Sequence, residues 1–270
     1  MKYFGIGIIL LAFVLFLTGC RVNKQLFKGN GLLKSEELNN FNTYNAYELE
    51  VNYINLSTGS IKIKFIEGEV PLIKVTTDED ILKTINLELK NNTIKIIGDK
   101  KYRYDVKEFT IEITQVKLNA YSLVGAFDIK DDYGNYDTSL KIDVNGVFSG
   151  DLNLENVTEK LSVSFDGVFS SDLKNLNLKT AVFTLNGTFN LEAEGEVENL
   201  DLSCNGVINI NFNKLVANTA DITIDGTSSS SFNITEDLTL SVNGLGSVSY
   251  AGDPKKTNLS KNGLITVTKK

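Results

Sequence analysis

Apolar and polar residues alternate along most of this chain, which is the period of a β-strand with one buried face. The pattern is sharpest between Asn119 and Gly252, where it is organised around Gly125, Gly146, Gly167, Gly187, Gly206, Gly226 and Gly244, spaced 21, 21, 20, 19, 20 and 18 residues apart. Two residues before each glycine stand Leu123, Val144, Phe165, Leu185, Cys204, Ile224 and Val242. Two residues after stand Phe127, Phe148, Phe169, Phe189, Ile208, Ser228 and Gly246. A period near twenty with a conserved inside and outside predicts stacked turns of a solenoid. The expected fold is therefore all-β, a single-stranded right-handed parallel β-helix whose neighbouring turns lie roughly 4.8 Å apart. Upstream, Leu49-Val51, Ile61-Ile63, Ile73-Val75, Ile85-Leu87-Leu89, Ile94-Ile96 and Phe109-Ile111-Ile113 alternate too, with Asn91-Asn92 reading as a turn. These are expected to form irregular N-terminal coils that cap the helix.

The first twenty residues break the pattern. Lys2 is followed by an apolar run from Tyr3 to Phe16, which ends in Leu17-Thr18-Gly19-Cys20. That is the length of a signal-peptide core. The ending resembles the bacterial lipobox, which implies cleavage before Cys20 and its lipidation, giving a durable membrane anchor. The expected organisation is a lipoprotein signal peptide at 1–19, a lipidated Cys20 with a flexible tether at 20–40, and a β-helical head domain at 41–268. The protein is then exported and lipid-anchored at the cell membrane or the outer membrane.

Composition narrows the chemistry. The 270 residues include no His, which excludes Ser-His-Asp and Cys-His catalysis and removes the commonest zinc ligand. The net charge of −7 argues against a nucleic-acid partner. No phosphate-cradling or dinucleotide-binding glycine motif is present, so neither a cofactor nor a metal is expected. Only 2 Pro occur, as suits a strand-rich chain.

Three segments resemble the auto-transporter adhesin head (GIN) domain family. They are Ile73-Lys74-Val75-Thr76-Thr77-Asp78-Glu79-Asp80-Ile81 with Leu87 to Ile96, the series of Asn/Asp-Gly pairs, and the ending Val242-Asn243-Gly244-Leu245-Gly246-Ser247-Val248-Ser249-Tyr250-Ala251-Gly252-Asp253-Pro254. The likeness spans roughly residues 41–267. It implies a parallel β-helix on an exported protein, often a lipoprotein, and carries no catalytic residues with it. The Asn-Gly pairs depart from the Ser-Gly pairs expected of the family.

Candidate functional residues follow from the same frame. Asp151, Asp172 and Glu192 each stand five residues after a glycine and are expected to form an outward acidic ladder, a candidate contact for a cation or a glycan. An exposed polar face with no ligand is the plainer reading. Asp128, Asp131, Asp132, Asn135 and Asp137 crowd one loop around Gly134, but their spacing does not fit a calcium loop, which favours an ordinary polar corner. Cys204 sits in an inward column and reads as a small buried hydrophobe. The residue before each glycine from Gly146 on, Asn145, Asp166, Asn186, Asn205, Asp225 and Asn243, suits a left-handed bend, with stacked amides bonding along the axis. Tyr102, Tyr104, Tyr133 and Tyr136 are the expected exposed aromatics, able to stack on sugars or anchor a protein. The functional expectation is a non-catalytic binding, adhesion or structural module with a glycan or surface-protein ligand. The alternative is a β-helical enzyme acting on polysaccharide through the acidic ladder.

Overall fold

The computed structural model describes residues 24–42 and 44–270. The expected signal peptide, Cys20 and the first residues of the tether lie outside the described residues. Strands make up nearly everything else: β1 (Gln25–Lys28), β2 (Leu33–Leu38), β3 (Tyr47–Asn52), β4 (Ile61–Phe65), β5 (Leu72–Asp78), β6 (Asn86–Lys90), β7 (Thr93–Ile97), β8 (Tyr102–Asp105), β9 (Thr110–Thr114), β10 (Leu118–Lys130), β11 (Tyr136–Asn153), β12 (Lys160–Ala251) and β13 (Lys256–Lys269). Among the described residues one helical turn, α1 (Glu79–Leu82), interrupts them. Among the described residues no helix is long and apolar enough to cross a membrane.

The expected single-stranded right-handed parallel β-helix is corrected by the pairing. The strands form mixed sheets, and among the described residues no repeat solenoid is found. In one branch β6 pairs antiparallel with β7, and β7 runs parallel to β3, which joins β10. In the other, β2 is antiparallel to β5 and β5 to β9, while β9 is parallel to β4 and β4 to β10. The physical reason lies partly in Asn91 and Asn92, with φ of 52° and 58°. A two-residue turn with both centres left-handed closes a hairpin, and two residues cannot connect parallel strands. Alternation marks a strand and its buried face, but it is silent on the direction of its neighbour.

From β10 onward the pairings are parallel. Gly125 faces Gly146, and Gly146 faces Gly167; Phe127 faces Phe148, and Phe148 faces Phe169. The glycines mark a close approach of backbones. Gly167 has φ +140°, and a Cβ there would lie 2.0 Å from the carbonyl oxygen of Gly146. Only glycine meets both conditions.

The alternating apolar positions all turn into one continuous core. The rings of Phe148 and Phe169 stack at 5.2 Å, and Phe165 lies 4.8 Å from Phe169. Phe212 bridges Phe183 and Phe232 at 5.8 and 6.0 Å. Each such ring removes on the order of 150–250 Å² of surface from water, so these rings contribute a large share of the driving force for folding beside the many buried Ile, Leu and Val side chains.

The expected tether also differs. Residues 25–38 contain β1, which pairs parallel with β8, and β2, which pairs with β5. Phe27 packs edge-on against Tyr102 at 4.9 Å. The segment looked polar because β2 is an exposed edge strand with its side chains largely in solvent.

Candidate functional site

The acidic positions are brought together as expected of residues at equal distances past the glycines. Asp151 on β11 is the register partner of Asp172 on β12. Asp172 and Glu192 then line a groove of about 160 Å³ with Lys174, Glu194, Asn211 and Lys214. Partial burial pushes the Asp172 carboxyl above the usual range, and the neighbouring charges of Asp151 and Glu192 push it further. The lysines offset part of this repulsion. Lys174 Nζ donates to Asp151 Oδ2 at 3.0 Å, which raises the Lys174 ammonium above its ordinary value. Lys214 pairs with Glu194 at 3.8 Å. These exposed pairs each contribute roughly 0–1 kcal/mol.

Lys174 and Glu194 were not among the sequence candidates. They stand two residues after Asp172 and Glu192, so the strand alternation already placed them on the same outward face. What was missing was the opposite-charge pairing across neighbouring strands, which needs the register.

The same face carries amides bonded strand to strand. Asn209 Nδ2 donates to Asn190 Oδ1 at 2.6 Å, and Asn175 Nδ2 donates to Asn153 Oδ1 at 3.0 Å. These bonds fall on columns other than the Asn/Asp preceding each glycine, where stacking was expected. The residues before the glycines, such as Asn145 facing Asp166, are exposed to water instead.

The tyrosines divide. Tyr133 is exposed, but Tyr104 and Tyr136 are fully buried. Burial is tolerated because each hydroxyl has a partner: Tyr104 Oη accepts from the Asp99 N–H at 2.8 Å, and Tyr136 Oη lies 3.0 Å from Tyr121 Oη. Tyr102 is half-buried beside Tyr104, with Lys101 Nζ 4.6 Å above its ring. Cys204 is buried, and burial pushes its thiol up to about 12, so it is an inert packing residue.

The acidic loop after β10 is not a cage. Asp131 is buried, and its Oδ1 accepts from the N–H groups of Tyr133 and Gly134, both at 3.0 Å. Lys130 pairs with Asp132 at 3.3 Å. Among the described residues no group of three or more His, Cys, Asp or Glu side chains is placed to hold a metal ion.

Solved structures share this architecture. A protein from Parabacteroides distasonis described as a putative lipid binding protein has a TM-score of 0.70 at 20% identity, covering 91% of this chain and 100% of its own. A putative adhesin from Bacteroides fragilis has a TM-score of 0.60 at 20% identity, covering 90% of this chain and 100% of its own. Another, from Parabacteroides merdae, has a TM-score of 0.57 at 16% identity, covering 91% and 99%. No curated protein matches the chain. The family model described as "Putative auto-transporter adhesin, head GIN domain" matches residues 52–254, three quarters of the sequence, and the chain belongs to that family.

Proposed function

We propose that this protein is an exported, lipid-anchored binding module without catalytic activity, held at the cell membrane or outer membrane through Cys20. Its role is to hold an extended glycan or surface protein against the outward face that carries Asp151, Asp172 and Glu192. The observation that carries this reading is the in-register pairing of Asp151 with Asp172 on a long face of strand-bonded amides and acids. Regularly spaced polar groups on rigid strands suit an extended partner, because many weak contacts add without ordering the protein. A cation there would be held only loosely, between two carboxylates, because among the described residues no group of three or more is placed to hold a metal ion. It would relieve a repulsion of roughly 1 kcal/mol per adjacent pair in water.

Two comparisons support the class of function. The family is described as adhesin-like, which points to exposure at the cell surface, and the solved relatives are described as adhesins or as lipid-binding. The anchor rests on the lipobox-like Leu17-Thr18-Gly19-Cys20.

Two measurements test the proposal. Radiolabelled palmitate should label the wild-type protein in cells and fail to label Cys20→Ala. The soluble domain should bind members of a glycan and matrix-protein array, with at least a tenfold loss for Asp151→Asn/Asp172→Asn/Glu192→Gln. Absence of array binding by both purified protein and intact cells would leave a purely structural envelope role. Cleavage of a glycan, abolished by Asp151→Ala with Asp172→Ala, would establish the enzymatic alternative instead.

A further inference from the structure

Three neighbouring strands run parallel in the order β9, β4, β10, and their C-terminal ends open in one place. Phe65 at the end of β4 is the partner of Ile113 on β9, and the next amide, Ile66 N–H, donates to the Ile113 carbonyl at 3.0 Å. On the other side Lys64 is the partner of Lys130, the last residue of β10. The chain leaving each strand therefore contributes to one rim: Ile66 and Glu67 after β4, Gln115 after β9, and Tyr133 and Asn135 after β10. These five residues surround a cleft of about 200 Å³ whose floor is Phe65 and Ile113.

The rim is built rather than loose. Asp131 ties down the turn that carries Tyr133 by accepting from both the Tyr133 and Gly134 amides. Asn156 donates from Nδ2 to the Gly134 carbonyl, and the Tyr136 N–H donates to the same oxygen at 2.8 Å. Below, Phe65 meets Tyr136 edge-on at 5.7 Å. The exposed tyrosine, 51% accessible, and Ile66, 38% accessible, are thus fixed over a packed base. The side chains of Glu67, Gln115 and Asn135 carry no hydrogen bond to the protein among the described residues.

We infer that this cleft is a binding subsite for one neutral sugar ring of a glycan, with Tyr133 and Ile66 against the apolar ring face and Gln115, Asn135 and Glu67 bonding its hydroxyls. The inference names a ligand class for the binding module proposed above and rests on that reading. Size and charge select the class. The volume lies below the roughly 300–1,000 Å³ that drug-sized ligands occupy, so the occupant is a single small ring. Glu67 is the one charged residue of the lining, which disfavours an acidic sugar or a phosphate. A tyrosine paired with amides and one carboxylate offers both an apolar platform and bidentate acceptors and donors, which match the alternating faces and hydroxyls of a pyranose. The loop also follows directly on Lys130, the register partner of Asp151, so a longer glycan seated here continues onto the acidic face.

Saturation-transfer NMR with the methyl glycosides of glucose, galactose, mannose and N-acetylglucosamine tests the subsite directly. At least one of them should receive saturation, and Tyr133→Ala and Gln115→Ala/Asn135→Ala should each reduce the effect at least tenfold. Tyr44→Ala, at a tyrosine 92% exposed elsewhere, should leave it unchanged. Unaltered thermal melting of each variant would show that the fold is intact. No saturation of any of the four glycosides, or a signal that survives Tyr133→Ala, overturns the subsite. Array binding that persists in Tyr133→Ala overturns the subsite alone, whereas the loss of all array binding in the unmutated protein overturns the module reading beneath it.

Discussion

Asp78 Oδ2 accepts a hydrogen bond from the Lys107 backbone N–H at 2.8 Å, 29 residues further along the chain. Its other oxygen, Oδ1, accepts from the Gly31 N–H in the turn between β1 and β2. One buried carboxylate thus fastens the N-terminal strands to the loop after β8, and Asp80 adds a bond to the Asn30 N–H at 3.1 Å. Asp78→Ala leaves two amides short of an acceptor. It should cost roughly 3–6 kcal/mol, since two bonds to a charged group are lost at about 1.5–3 kcal/mol each. Hydrogen exchange at Gly31 and Lys107 should accelerate, and proteolysis should begin between β1 and β2. Unchanged exchange at both amides would refute the clasp.

Gly167→Ala tests the glycine column. The new Cβ would collide with the Gly146 carbonyl and force a residue with a side chain to hold φ +140°. A loss of roughly 2–4 kcal/mol in urea unfolding is expected, large for a single added methyl group. Loss on that scale requires the tight backbone approach, so a near-neutral result would mean the two segments stand further apart.

Ser171 makes the opposite prediction. It is 3% exposed, and its hydroxyl has no hydrogen-bond partner among the described residues. Its register neighbour is Gly150, which offers no side chain to bond. Ser171→Ala removes an unsatisfied polar group at little cost in volume and should raise stability by up to about 1 kcal/mol. A drop in melting temperature would show that the hydroxyl is satisfied in solution.

Asp131 carries a pH dependence. Burial pushes its carboxyl above the ordinary value of 3.8, against the opposing bonds from the Gly134 and Tyr133 amides. The folded state therefore holds its proton to higher pH than the unfolded chain does. Stability from this group is full below 3.8 and is lost as pH rises through the folded value. Asp131→Asn keeps an oxygen for the two amides and removes the titration. Its melting temperature should fall less than that of the wild type from acid toward neutral pH, and should exceed the wild type at pH 7. Parallel pH profiles for the two proteins would sink this assignment.

The candidate sites show where sequence reading stops. Asp151, Asp172 and Glu192 were legible as a group because equal distance past a glycine translates into neighbouring positions once the strands pair. Lys174 bonding Asp151 was not, because cross-strand charge pairing depends on register. Tyr136 and Tyr104 were expected at the surface, since a tyrosine in a polar stretch looks exposed. Their hydroxyls find partners in the interior, and that lets the rings bury. Of the small cleft only Tyr133 was legible, as an exposed aromatic; Glu67 and Gln115 were not, because the three come from separate strand ends.

What the sequence by itself determined is the strands from Leu49 onward that alternate, the inward face of each, and where glycine is required between Gly125 and Gly244. These follow from local sterics and from a period of two, both written in consecutive residues. Tertiary structure alone decided the direction of each strand's partner, and so replaced the expected parallel β-helix with mixed sheets. It also decided which loops meet. The reason is that a strand's backbone can hydrogen-bond a parallel or an antiparallel neighbour with only a slight difference in stability per residue, so the choice is settled by connection length and by packing across the whole core.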